Sequence, residues 1–472
     1  MIPQTRVLKF GGTSVQNFAA MQDVARITQQ QLSPRTIVVA SATAGTTDLL
    51  VQIIEAIRTQ DRQLLVNSLR KIDSRHAAIR TAVQYTGTIS EQADAQYTEL
   101  LSELTRTTHQ LFSNRQLTGN DEAEILSYGE LISSTLLTEI MQSRGINARY
   151  FDARDIVATT SSPLSAQPLP DGVAAAAAEK LLPVLNDGYV CVTQGFIGRD
   201  EQGNTTTLGR GGSDFSAAIL GVALDADQIE IWTDVNGVMT ADPRMVPDAR
   251  HIEHLSFREA AELAYFGAKV LHPSTLLPAM EKNIPVIVKN TRRPEFPGTT
   301  ILPKNPKSSP VGVRSIACKH GITVLNITST RMLMAHGFLS KVFDVFNTFE
   351  TPIDLVSTSE VSVSMTIDDD SRLEEICQAL SQFGETETIT KQSIVCLVGR
   401  GISVLSGIAA RAFNAVSGIN VKMISYCAGK DNLSFIIDEA EVPEAVRQLH
   451  QTFFGDEAPQ TYSAEELACV SD

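Results

Sequence analysis

Short apolar runs alternate with longer amphipathic stretches over the first 300 or so residues. "RVLKF" (6–10), "TIVVAS" (36–41), "YVCVTQGF" (189–196), "QIEIWTDV" (228–235) and "IPVIVKN" (284–290) are brief, apolar and rich in β-branched residues. That is the pattern of parallel strands buried on both faces. Between the first two, "NFAAMQDVARITQQQL" (17–32) has helical spacing, with Asn17 placed as an N-cap. The Ala-rich "DGVAAAAAEKLL" (171–182) predicts another helix, and residues 50–135 read as a mostly helical block packed on one side of the sheet. Strand–helix alternation of this kind predicts an α/β sandwich around a mostly parallel sheet.

The rhythm changes at "RRPEFPGTTILPKNPKSSP" (292–310), whose prolines and few apolar residues read as a linker and domain boundary. Beyond it the chain repeats itself. "GFLSKVFDVF" (337–346) and "GIAARAFNAV" (407–416) each begin with Gly and place Phe343 or Phe413 six residues later. An apolar segment precedes each ("ITVLNI", "SIVCLVG") and another follows ("PIDLVSTS", "INVKMISY"). Two such units predict a duplicated small α+β domain.

Composition narrows the function. At 472 residues the chain is too long for one ordinary core. A formal charge of −15 without a basic cluster speaks against nucleic acid, yet a few local cations can still hold a small anion. The six cysteines are scattered and form no CxxC pair, which fits neither a zinc site nor a disulfide framework. No apolar run of ~18 residues and no apolar signal core occur, so the chain reads as cytoplasmic, reduced and free of membrane.

Two glycine-rich turns carry the candidate chemistry. In "VLKFGGTSV" (7–15) a strand delivers Lys9 to its carboxyl end, where open α/β sheets bind ligands. Gly11 and Gly12 allow close backbone approach, and Thr13 and Ser14 add hydroxyls at a helix start that favours anions. In "TTTLGRGGSDFSAA" (205–218), Gly209, Gly211 and Gly212 surround Arg210, suited to bidentate capture of a carboxylate or phosphate. Ser213 and Asp214 open the next helix. "WTDVNGVMTADPR" (232–244) runs off a strand into a turn-rich loop fit for a nucleotide's base and ribose. "FGAKVLHP" (266–273) offers Lys269, with His272 read as structural.

Taken in order, "KFGGTSV", "SATAGTTDLL", "LSYGEL", "TQGFIG", "TTTLGRGGSD", "WTDVNGVMTADPR" and "FGAKVLHP" resemble the catalytic domain of the aspartate kinases, within the amino acid kinase family. The repeat resembles the paired ACT domains of those enzymes, and "STSEVSVSMTID" (357–368) is most similar to the monofunctional, lysine-sensitive class. The resemblance spans residues 5–455. It implies an amino-acid-kinase-type α/β/α sandwich followed by two α+β ACT domains. The implied spans are a catalytic domain over 1–300, a linker and first ACT domain over 301–390, a second over 391–455 and an acidic tail over 456–472.

It further implies transfer of the ATP γ-phosphoryl group to the β-carboxylate of L-aspartate, the first step toward lysine, threonine and methionine. The cofactors implied are ATP and the Mg²⁺ carried with it, with no dedicated metal site. Lys9 would contact the moving phosphoryl group beside Gly11 and Gly12, and Asp214 would orient it. Thr47, Glu124, Arg210 and Ser213 would hold aspartate, Arg210 taking a carboxylate and Glu124 the amino group. Thr233, Asp234, Met239, Arg244, Lys269 and Val270 would line the nucleotide site. A feedback amino acid, lysine by resemblance, would meet Met332, Ala335, Gly337, Phe338, Leu339, Ile353, Asp354, Ser359 and Glu360. Met334 and Ala335 stand where lysine-sensitive relatives tend to have His and Ser. A homodimer or dimer of dimers through the ACT domains is also implied.

The chemistry agrees with this set. A β-carboxylate with a reference pKa near ~3.9 is already ionised at neutral pH, so no general base is needed. Bringing it to a polyanion calls for cations and backbone donors. A kinase for another acceptor, such as glutamate, acetylglutamate or a nucleoside monophosphate, and a non-catalytic amino-acid sensor are the alternatives.

Overall fold

The computed structural model describes residues 4–86, 90–267, 273–306, 309–332, 336–426 and 431–455. Contacts divide the chain into two compact units. The first comprises Met1–Val238, Glu253–Phe257 and Val270–Asn305, the second Met239–Ile252, Arg258–Lys269 and Pro306–Asp472.

Among its described residues the first unit holds ten strands: β1 (Thr5–Phe10), β2 (Arg35–Ala40), β3 (Ala148–Phe151), β4 (Val190–Gln194), β5 (Ile197–Arg199), β6 (Thr205–Thr207), β7 (Gln228–Thr233), β8 (His254–Ser256), β9 (Val286–Asn290) and β10 (Thr299–Leu302). Eight of them form a sheet in the order β3-β4-β2-β1-β7-β9-β10-β8. Every pairing in it is parallel except β9–β10. β5 and β6 form a separate antiparallel hairpin. Val7, Leu8 and Phe10 of β1 and Ile37, Val38 and Val39 of β2 are fully buried, which accounts for their unbroken apolar run.

The helices of this unit are α1 (Phe18–Gln30), α2 (Thr46–Thr59), α3 (Arg62–Thr86), α4 (Glu91–Asn114), α5 (Gly119–Ser143), α6 (Pro170–Lys180), α7 (Leu182–Asn186) and α8 (Gly212–Ala223). Asn17 caps α1 as its spacing predicts, its Oδ1 accepting the Ala20 amide at 2.9 Å. The helical block of residues 50–135 resolves into α2 to α5. Of these α5 is buried on every side over most of its length. Its hydroxyls are absorbed locally, Ser134 donating to the Glu130 carbonyl at 2.8 Å and Thr135 to Leu131 at 2.9 Å.

Two expectations need correction. The Ala-rich helix ends at Lys180, and Pro183 sits in the first turn of a new helix, α7, because its missing N–H cannot extend the old one. The span 292–310 is not all linker: β10 within it joins the sheet, parallel to β8 and antiparallel to β9, with Ile301 fully buried.

The second unit contains α9 from its second residue onward (Phe257–Tyr265) and carries a six-stranded antiparallel sheet. Its strands are β11 (Gly312–Thr328), β12 (Val356–Thr358), β13 (Ser362–Ile367), β14 (Glu385–Arg400), β15 (Met423–Ser425) and β16 (Asn432–Asp438), ordered β12-β13-β11-β14-β16-β15. After α10 (Pro273–Glu281) of the first unit, its further helices are α11 (Phe338–Thr348), α12 (Leu373–Leu380), α13 (Ile408–Ala415) and α14 (Val442–Phe454).

The repeat is real in the fold. α11 and α13 start from left-handed glycines, Gly337 at φ 77° and Gly407 at φ 79°. Each repeat has its own core, one around Leu325, Val342, Met365 and Ile376, the other around Leu397, Ile408, Phe435 and Leu449. The two long strands are shared. The first half of β11 pairs with the second half of β14, and Val313 and Ile316 pack into the second core. The second repeat is therefore assembled from two separate chain segments. Among the described residues no helix is long and apolar enough to cross a membrane.

Candidate active site

The carboxyl end of β1 and the start of α8 meet. Lys9 is 8% exposed, and its Nζ forms an ion pair with Asp214 in the first turn of α8. Gly211, in the left-handed region at φ 72°, is the N-cap that turns the chain into α8, a conformation that penalises any side chain. At the end of β1 the Gly11 amide donates to the Trp232 carbonyl at 3.0 Å. Gly12 approaches the next loop so closely that a Cβ there would stand 2.9 Å from the Ala42 carbonyl oxygen.

These segments line a cavity of about 660 Å³. Lys9 enters from β1 and Gly12 from the turn after it, Thr47 and Asp48 from α2, Glu122 and Glu130 from α5, Arg210 from the second glycine turn, and Ser213 and Asp214 from the start of α8. The structure thus gathers Lys9, Gly12, Thr47, Arg210, Ser213 and Asp214 of the predicted site. Arg210 has no ion-pair partner among the described residues, whereas the other cavity cations do: Lys9 with Asp214, and Arg58 with Glu122 at 2.5 Å.

Other predicted residues stand elsewhere. Glu124 is not among the cavity-lining side chains; it accepts from the Thr205 hydroxyl and lies 3.5 Å from the Arg154 guanidinium. Thr233 ends β7, the strand beside β1, and Asp234 follows it; the Thr233 carbonyl accepts the Thr291 amide at 2.8 Å. Met239 and Arg244 belong to the second unit. There the Met239 carbonyl accepts from Ser315 Oγ at 2.8 Å and Arg244 forks onto Asp242. Lys269, Val270, His272, Met334, Ala335 and the tail lie outside the described residues.

Two features went unread in the sequence. Glu130, inside "LSYGEL", is 4% exposed; its Oε1 accepts the Ala42 amide at 3.2 Å, and burial pushes its carboxyl up to about 8 while that amide opposes the rise. His76 is fully buried: Nδ1 donates to the Ile72 carbonyl at 2.8 Å, so Nε2 accepts from the Thr43 hydroxyl at 3.1 Å. The Thr43 and Thr46 hydroxyls lie 2.6 Å apart. Burial lowers this imidazole to about 4 and keeps it neutral under the loop that precedes Thr47.

In the second unit the Asp354 carboxylate, 3% exposed, is already engaged. Lys319 Nζ lies 2.6 Å from it and 2.9 Å from Asp368, and the Tyr265 hydroxyl donates to it at 2.8 Å. Burial first, then this hydrogen bond, pushes the Tyr265 hydroxyl up. Met332, Phe338 and Ile353 pack against the first-repeat core, Leu339 is 38% exposed, and Glu360 is exposed. The Ser359 hydroxyl lies 2.7 Å from that of Ser362.

Comparison with known proteins bears directly on this arrangement. The family model described as "Amino acid kinase family" matches residues 4–290, and an ACT domain model matches residues 395–453. The chain is 38% identical over 458 residues to the lysine-sensitive aspartokinase 3 of Escherichia coli, covering 95% of this chain and 99% of that protein. It is 36% identical to the chloroplastic aspartokinase 3 of Arabidopsis thaliana, covering 95% of this chain and 82% of that one. Among solved structures, E. coli aspartokinase III with aspartate and ADP superposes with a TM-score of 0.84 at 36% identity, covering 95% of this chain and 99% of that one. The same enzyme with lysine and aspartate gives 0.79 over the same shares. With a family model matching most of the first unit and relatives spanning nearly its whole length, the chain belongs to the amino acid kinase family and, within it, to the aspartokinases.

Proposed function

We propose that this chain transfers the γ-phosphoryl group of ATP to the β-carboxylate of L-aspartate, giving 4-phospho-L-aspartate and ADP. The observation that carries the reading is the Lys9–Asp214 pair set in one cavity with Arg210 and Ser213. Two anions must be brought together there, and the loop ends supply a lysine, an unpaired arginine and two uncapped helix starts. Lys9 neutralises charge on the moving phosphoryl group, held in line by Asp214, while Gly11 and Gly12 let backbone approach the phosphates. Arg210 takes a carboxylate of aspartate, Thr47 and Ser213 supply hydroxyls, and Glu124 meets the amino group.

The base and ribose fall to Thr233 and Asp234 at the end of β7. Mg²⁺ enters as part of the substrate, carried on the ATP phosphates. Catalysis falls to residues 1–300 and regulation to the repeats beyond. Lysine is the feedback effector, its ammonium group competing with Lys319 for Asp354, and the repeats join subunits into a dimer.

Hydroxylamine trapping tests the reaction. With MgATP and aspartate the chain forms an acyl phosphate that hydroxylamine captures as a hydroxamate; with glutamate it does not. Capture from glutamate alone, or from no acceptor, overturns the reading.

A further inference from the structure

Glu130 has no part in the division of labour above, yet it lines the same cavity. Its Oε1 is satisfied by the Ala42 amide, while Oε2 is buried and meets no hydrogen-bond partner among the described residues. The adjacent hydroxyls are spent elsewhere: Ser133 donates to the Ser41 carbonyl at 2.5 Å and Ser134 to the Glu130 carbonyl. An ionised carboxylate at this depth, with no cation bonded to it, would be costly. A neutral carboxyl has a proton to give and lacks only an acceptor. The cavity's occupants are rich in acceptors, since both reactants are anions.

We propose that Glu130 works as an uncharged carboxylic acid whose Oε2–H donates a hydrogen bond to an oxygen of the anionic acceptor, which makes it a substrate-contacting residue. The proposal rests on the aspartate kinase reading. The charged groups facing the cavity are Lys9 from β1, Asp48 and Arg58 from α2, Glu122 from α5, Arg210 from the glycine turn and Asp214 from α8. Lys9 and Arg58 are committed to Asp214 and Glu122, so neither holds Glu130 in its ionised form. Burial raises the carboxyl to about 8, so the donor is present at neutral pH. Above that pH the group ionises, the donor is lost, and a negative charge faces an anionic substrate.

The test is initial-rate kinetics of the full chain with aspartate varied at saturating MgATP, from about pH 6 to about pH 10. The wild-type KM for aspartate should rise at least ~10-fold across a limb centred near pH 8, with kcat changing less. Glu130→Gln, whose amide donates but cannot ionise, should stay within ~3-fold of wild type at neutral pH and lose the limb. Glu130→Leu should raise KM ~10-fold or more at every pH. A Gln variant that keeps the wild-type limb, or that is as impaired as the Leu variant, overturns the proposal.

Wild-type protein carrying ¹³C-carboxyl glutamate supplies a readout independent of how the variants fold. One glutamate resonance should titrate near pH 8 and move when aspartate is added; its absence overturns the proposal. Hydroxamate formed from aspartate at neutral pH alongside a flat pH profile would remove Glu130 and leave the kinase reading standing. No hydroxamate from aspartate would remove both.

Discussion

Replacing Lys9 with alanine takes a positive charge out of a cavity that must receive two anions. The side chains of Lys9 and Asp214 are 10% and 14% exposed, so water screens the site only in part. At ~4 Å and an effective dielectric constant of ~20, a unit charge on the phosphoryl group gains ~4 kcal/mol from the lysine. If that gain is realised mainly in the transition state, its loss is roughly three decades in rate. The substitution also leaves Asp214 facing the incoming phosphates with its charge uncompensated, which adds repulsion. Lys9→Ala should therefore lose ~10²-fold or more in kcat, measured as aspartate-dependent ADP release, with a cooperative thermal unfolding transition showing that the fold survives. Adding Asp214→Asn should cost far less than its effect alone, because the two side chains act as one unit. A Lys9→Ala enzyme with turnover within ~10-fold of wild type refutes the charge argument.

His76 predicts a pH-dependent stability. Its folded value of about 4 lies below the unfolded 6.5, so the unfolded chain binds more protons between those pH values. The contribution is complete above pH 6.5 and fades as pH falls toward 4, by ~3 kcal/mol in all. Urea unfolding at several pH values should show this slope in wild type and not in His76→Gln. Gly12→Ala forces a methyl against the Ala42 carbonyl and should cost ~1–3 kcal/mol with a larger loss of activity, read by urea unfolding and ADP release. Lys319→Met frees Asp354 from its internal cation and should lower the lysine concentration for half-inhibition ~10-fold, while Asp354→Asn should raise it; unchanged inhibition curves would remove Lys319 as a competitor.

The parallel strands were legible because burial on both faces writes a continuous apolar run, and α1 because its cap and spacing agree. β10 hid between prolines, since its place in the sheet is set as much by the distant β8 as by β9, which precedes it directly. The first half of β11 carried no mark of its pairing with the distant half of β14, so the repeats looked separable when they share strands. Within the site, Lys9 and Arg210 stood out because glycines flank them. Their convergence could not be read, because the Lys9–Asp214 pair joins segments that only the sheet order brings together. Glu130 escaped for the opposite reason: nothing local distinguishes a buried acid from an ordinary helical glutamate until its surroundings are known.

The same logic explains how a chain of net charge −15 builds an anion site. α2 and α8 both start from left-handed glycines, Gly45 and Gly211, and neither start is capped by a side chain. Gly45, Thr47, Gly211 and Gly212 all line the cavity, so the positive ends of two helix dipoles are delivered there with Lys9 and Arg210. Fixed dipoles act over a single turn and formal surface charge is screened within ~10 Å, so the cavity's potential is set by these few groups and not by the excess of acids. That arrangement also gives Glu130 its meaning. In a cavity tuned to hold anions, a buried carboxyl group with no cation bonded to it, as at Glu130, is tolerated beside them only while it carries its proton.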